Sequence, residues 1–144
     1  LTWFSPESDV FDVIFMKPIQ NVVVVEDEPL FQFVIESVVR DRFKQVDIVQ
    51  LGLEGAPAVH QVLEHVRGDV TLVICDRSLT NGGSEGEQIV RAVKEANASV
   101  IMYSSLVPKG VKEQLEALGI PCIDKTRNDS LKYWLQSFGI EKNS

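Results

Sequence analysis

Five side chains able to do chemistry stand at the ends of apolar runs in this sequence. Glu26 and Asp27 close Val22 to Val25, Asp76 closes Val70 to Cys75, Ser104 follows Val100 to Tyr103, and Lys125 comes just after Ile120 to Ile123. Runs this short and this rich in β-branched residues read as buried strands. In open parallel sheets, ligands and chemistry gather just outside the carboxyl ends of the strands. Three carboxylates brought together there repel one another unless a cation joins them. An all-oxygen set with positions open to water suits Mg²⁺ or Mn²⁺ rather than a soft metal. A lysine and a hydroxyl opposite would bind an anion held beside that metal. Metal, lysine and hydroxyl around one Asp describe a site for phosphoryl transfer to a carboxylate. Taken singly, each residue has a plainer role. Asp76 could cap the next helix or turn, Asp27 or Glu28 could favour a helix dipole, Ser104 could be a loop serine, and Lys125 a surface lysine.

The elements that must position these groups follow from the pattern of the chain. After the first strand, Leu30, Phe31, Val34, Ile35, Val38 and Val39 recur at spacings of three and four, with Pro29 fitting the first turn of that helix. Val46 to Leu51 is a weaker strand, with Asp47 and Gln50 interposed, and reads as nearer an edge. Ala58, Val59, Val62, Leu63 and Val66 predict a second helix, and the strand at residues 70–76 follows. Ile89, Val90 and Val93 mark a third helix, after the glycine-rich loop 81–86, whose glycines read as loop flexibility rather than a phosphate cradle. Val111, Leu115 and Leu118 give a fourth helix, stopped by Gly119. Leu131, Trp134, Leu135 and Phe138 form the stripe of a closing helix, read as core rather than as a dimer surface. Five strands alternating with five helices imply crossover connections and a doubly wound, five-stranded parallel sheet with helices on both faces. The Rossmann glycine fingerprint and the Walker lysine loop are absent after the first strand, which weakens a nucleotide-binding reading.

Composition narrows the classes further. The chain has 144 residues, 44% of them hydrophobic, and a net charge of −7, which fits one α/β domain. An acidic surface is unsuited to holding nucleic acid or an anionic membrane. Cys75 and Cys122 lie in apolar runs without metal or disulfide spacing and read as free thiols of a reducing, cytoplasmic compartment. His60 and His65, five apart on one helix, do not share a face and are not read as ligands. Residues 1–18, with Trp3, Phe4 and Phe11 interrupted by Ser5-Pro6, do not continue the pattern and are expected to be an extension or linker, and residues 141–144 a tail.

Four pieces in this order resemble the response-regulator receiver domain: Val-Val-Val-Glu26-Asp27-Glu28-Pro, Val-Ile-Cys-Asp76-Arg-Ser-Leu, Val-Ile-Met-Tyr-Ser104-Ser105 and Cys-Ile-Asp-Lys125. The resemblance covers about residues 19–140 and implies a flavodoxin-like (βα)5 fold. It implies that Asp76 is the phosphoacceptor and that Asp27 ligates Mg²⁺ (or Mn²⁺) directly, with Glu26 acting through water. The backbone carbonyl of Ser78 would complete the protein ligands. Ser104 is the implied switch hydroxyl, Lys125 the phosphate-binding lysine, and the fourth helix, fifth strand and fifth helix the face that changes. The implied partners are a histidine kinase or phosphotransfer protein and an output partner, with a homodimer admissible and neither nucleic acid nor membrane bound by this domain. Such a domain catalyses only its own phosphorylation and dephosphorylation.

The sequence departs from the family in three places. Thr126 replaces the proline that usually follows the lysine, so a trans Lys125–Thr126 bond is expected. Cys122 stands where the family usually has its switch aromatic, and Tyr103 cannot replace it because neighbours in a strand face opposite ways. Thr80 stands in place of a frequent proline. Cys122 and Thr126 favour a competing expectation, a degenerate receiver that docks proteins without phosphorylation, but no departure removes the acceptor, metal ligand, hydroxyl or lysine, so a phosphorylatable receiver with altered signalling geometry is preferred. A phosphatase of the haloacid-dehalogenase type fits poorly, since its second Asp would fall at Ser78.

Overall fold

A computed structural model describes residues 19–49, 58–79 and 85–137. The expectations for residues 1–18, for Phe138 and for residues 141–144 lie outside the described residues. Five strands are β1 (Asn21–Val25), β2 (Gln45–Ile48), β3 (Thr71–Cys75), β4 (Ser99–Ser104) and β5 (Cys122–Asp124). The helices are α1 (Pro29–Val39), α2 (Ala58–Leu63), α3 (Glu85–Glu95), α4 (Lys109–Ala117) and α5 (Ser130–Ser137), with a 3₁₀ turn at Gly68–Val70. All pairings are parallel, in the order β2-β1-β3-β4-β5. This is the doubly wound sheet that the alternation implied.

The strand sequences explain the layers. Every residue of β1 and β3 is buried, because helices cover both sides of the sheet. Val23, Val25, Val73, Cys75, Val100 and Met102 face one core, shared with Val62 of α2, Ile89, Val90 and Val93 of α3, and Leu115 of α4. Val22, Val24, Leu72, Ile74, Ile101 and Tyr103 face the other, shared with Ile35 and Val39 of α1 and Leu131 and Leu135 of α5. β2 is the edge strand expected from its mixed sequence, and only half-buried. α4 stops where Gly119 takes φ +82°, a conformation costly for any residue with a Cβ. The N–H of Ile120 then reaches back to the Leu115 carbonyl at 2.9 Å.

The stripe expected on α1 needs correction. Ile35 and Val39 are buried, but Leu30 is 68% exposed and Phe33, outside the expected stripe, is 69% exposed. At 3.6 residues per turn, Leu30 and Phe33 fall on the side of α1 turned away from the buried Ile35 and Val39. No helix among the described residues is long and apolar enough to cross a membrane.

Candidate functional site

The order reverses between β1 and β3, and there the strand ends stand side by side. Val25 is in register with Cys75, and the N–H of Asp76 donates to the Val25 carbonyl at 3.0 Å. Glu26 and Asp76 therefore leave adjacent strands at the same height, and both are buried. Carboxylate oxygens of Glu26, Asp27 and Asp76 lie within 4.8 Å of one another, with the Asp27 side of the cluster exposed. On the other side, β4 and β5 deliver Ser104 and Lys125, joined by a 3.1 Å hydrogen bond from the Lys125 N–H to the Ser104 carbonyl. The Lys125 ammonium reaches back across the sheet end. Its Nζ donates to Glu26 Oε1 and to Asp76 Oδ2, each at 3.0 Å. Four of the expected residues, Glu26, Asp27, Asp76 and Lys125, thus form one crevice, and Ser104 adjoins it.

The electrostatics follow from this packing. Burial raises the Glu26 carboxyl, the Asp76 charge raises it further, and hydrogen bonds from Lys125 and the Glu28 N–H offset part of the rise, leaving it at about 7. The Lys125 ammonium is held above its ordinary value: burial opposes its charge, but the hydrogen bonds and charges of Asp76 and Glu26 outweigh that cost. The donor set is hard oxygen only, with one carboxylate open to solvent, and this fits Mg²⁺ or Mn²⁺.

The loop after Asp76 is held in place from two sides. The N–H of Ser78 faces Asp76 Oδ1 at 3.4 Å, and Leu79 is buried beneath it. Arg77 pairs with Glu87 of α3 at 2.8 Å. Gly86 belongs to α3, not to a flexible loop as expected. A Cβ there would lie 2.2 Å from the Asp76 carbonyl oxygen and 2.5 Å from Arg77 Cα, so only glycine lets α3 press against the loop after Asp76. Gly82 and Gly83 lie outside the described residues.

Two solved structures align with most of the chain. A response regulator from Colwellia psychrerythraea matches at TM-score 0.63 and 19% identity, over 83% of this chain and 96% of the other. A response regulator receiver protein from Burkholderia phymatum matches at TM-score 0.58 and 24% identity, over 89% and 100%. The chain has the receiver fold. No protein-family model and no curated protein matches it.

Within this receiver fold, the three departures have structural outcomes. No described peptide bond is cis, so Lys125–Thr126 is trans as expected. The Asp124 carboxylate accepts from the Thr126 N–H at 2.9 Å and from its hydroxyl, fixing the turn that proline would otherwise stiffen. These hydrogen bonds from Thr126 lower the Asp124 carboxyl. Tyr103 packs into the α1 and α5 core, while Ser104 and Cys122 line a cleft of about 140 Å³ with Val107, Lys112, Ile123 and Asp124. The two residues therefore point to opposite faces, as strand alternation requires. Burial and the nearby Glu116, against a smaller opposing effect of Lys112, push the Cys122 thiol up to about 11. Thr80 lies outside the described residues.

One residue of the crevice is not among those expected from the sequence. The Phe31 ring, read only as part of a helix stripe, lies over Lys125, with its centroid 4.2 Å from Nζ. Its position in the first turn after Glu26-Asp27 is the hint that could have marked it.

Proposed function

We propose that residues 19–140 form a response-regulator receiver that accepts a phosphoryl group on Asp76 from a histidine kinase or phosphotransfer protein. The supporting observation is the Lys125 ammonium, 3.0 Å from Asp76 Oδ2 inside a buried acidic crevice at the switch point of a receiver fold. Asp76 is the nucleophile. One carboxylate oxygen bonds to phosphorus as the donor's P–N bond breaks, and the imidazole leaves. Lys125 stands ready as a fixed positive charge for the phosphoryl oxygens, and placement rather than covalent chemistry supplies the rate. Glu26, Asp27, Asp76 and the Ser78 carbonyl would hold Mg²⁺ or Mn²⁺, which when bound neutralises phosphoryl charge. The phosphorylated Asp76 carries added negative charge. Ser104 then hydrogen-bonds to the phosphoryl group, and that movement biases the α4–β5–α5 face toward an output partner. The domain turns over no substrate besides its own phosphoryl group and works in the cytoplasm.

Cys122 supports a second reading. Its small side chain leaves the cleft beside Ser104 without an aromatic ring, and Tyr103 faces the other core. A receiver without that coupling would act as a docking module independent of phosphorylation. Intact-mass measurement after incubation with acetyl phosphate and Mg²⁺ separates the two. The phosphoacceptor reading expects a gain of one phosphoryl group, lost in Asp76→Asn and lost with EDTA. No gain, together with no Mg²⁺ binding by calorimetry, would favour the docking module instead.

A further inference from the structure

Lys125 is a compact charge on a flexible four-carbon stem, so its usefulness at Asp76 depends on what holds it there. Its ammonium carries three N–H donors. One goes to Glu26 Oε1 and one to Asp76 Oδ2, each at 3.0 Å. On the remaining side lies the face of Phe31, its centroid 4.2 Å from Nζ. The negative face of an aromatic ring attracts a cation at this distance, and does so more strongly where water is excluded. The Lys125 side chain is only 5% exposed, so the contact is a desolvated one. Phe31 sits in the first turn of α1, whose start at Pro29 follows the acidic loop directly. The same short stretch of chain therefore delivers Glu26 and the ring to the same ammonium from two directions.

From this geometry we infer that Phe31 is a positioning residue for phosphoryl transfer. Its π-face completes the cage around the Lys125 ammonium and keeps the charge aimed at Asp76. A π-face suits this place better than a third carboxylate would. It attracts the ammonium without adding net negative charge, so the incoming phosphoryl oxygens meet no further repulsion. It also presents no hydrogen-bond acceptor that would hold an N–H donor away from them. The inference rests on the phosphoacceptor reading of Asp76.

Two substitutions separate the π-face from mere packing. Phe31→Leu keeps an apolar side chain and removes the face. Pentafluorophenylalanine incorporated at position 31 keeps the shape of the ring and reverses its quadrupole. With acetyl phosphate and Mg²⁺, both are expected to slow labelling of Asp76 about tenfold, whereas Phe31→Tyr retains the face and stays within about twofold of the unmodified protein. In the metal-free protein, the Lys125 ε-methylene protons should show an upfield ring-current shift, lost in Phe31→Leu and kept in Phe31→Tyr. Wild-type labelling rates in both the leucine and the pentafluoro proteins would overturn the inference while leaving Asp76 as acceptor. So would a slow leucine variant beside a pentafluoro protein of normal rate, which would assign Phe31 a packing role only. A wild type that neither labels nor binds Mg²⁺ would remove the phosphoacceptor reading and this inference with it.

Discussion

Glu26 is the most sensitive gauge of the crevice. In the metal-free protein, its carboxyl is raised from 4.5 to about 7, chiefly by burial and then by Asp76. The folded state therefore holds this proton more tightly than the unfolded chain. Stability from that source is fully present below pH 4.5 and is lost as the pH rises through about 7. At about 1.4 kcal/mol per pH unit, the loss comes to about 3 kcal/mol by pH 8. Glu26→Gln removes the ionisation. The amide oxygen can still accept from Lys125, but the amide nitrogen would face the Glu28 N–H, which now donates to Glu26 Oε2 at 3.2 Å. That mismatch costs about 1 kcal/mol. The variant should therefore be more stable than the parent by about 2 kcal/mol at pH 8 and no more stable at pH 5. Urea unfolding in EDTA at the two pH values measures the difference. A variant no more stable at pH 8, or equally stabilised at both values, would refute the reasoning.

Other perturbations have expected outcomes of their own. Lys125→Met leaves two buried carboxylates facing each other. It should lose about 3–5 kcal/mol at pH 8 by urea unfolding, less at pH 5 where Glu26 is protonated, and label more than about 100-fold more slowly. Gly86→Ala drives a Cβ into the Asp76–Arg77 backbone, which has no flexible end to yield; a loss of about 1–3 kcal/mol in thermal or urea unfolding is expected, with slower Asp76 labelling. With its thiol at about 11 rather than the ordinary 9, Cys122 should react with iodoacetamide at pH 8 roughly 100-fold more slowly than a free thiol, as followed by mass spectrometry.

The fold was legible because β1 and β3 are covered on both sides, so their sequences carry unbroken apolar runs that end abruptly in carboxylates. β2 and β5 are short, only partly buried and sit at the two edges, and their bounds were correspondingly less clear: the structure places β5 at Cys122–Asp124, where the apolar run begins at Ile120. That Glu26, Asp27, Asp76 and Lys125 meet could be read because they follow the ends of their strands, and β1 and β3 end in register. What escaped the sequence depends on contact between distant segments. Phe31 and Lys125 meet across the sheet end, and helical spacing alone marked Phe31 as core. Gly86 reads in the sequence as one more loop glycine, yet the Asp76–Arg77 backbone it touches excludes any larger residue. Leu30 and Phe33 are apolar but exposed, because they lie on the side of α1 away from Ile35 and Val39.

The central claim is that Asp76 itself carries the phosphoryl group. The direct measurement is borohydride trapping: the protein is incubated with acetyl phosphate and Mg²⁺, reduced, digested and sequenced by mass spectrometry. Homoserine is expected at position 76 and reduction at no other carboxylate, with none when EDTA replaces Mg²⁺. Homoserine at Asp27, hydroxynorvaline at Glu26, or neither anywhere in protein that labels by intact mass, would contradict it.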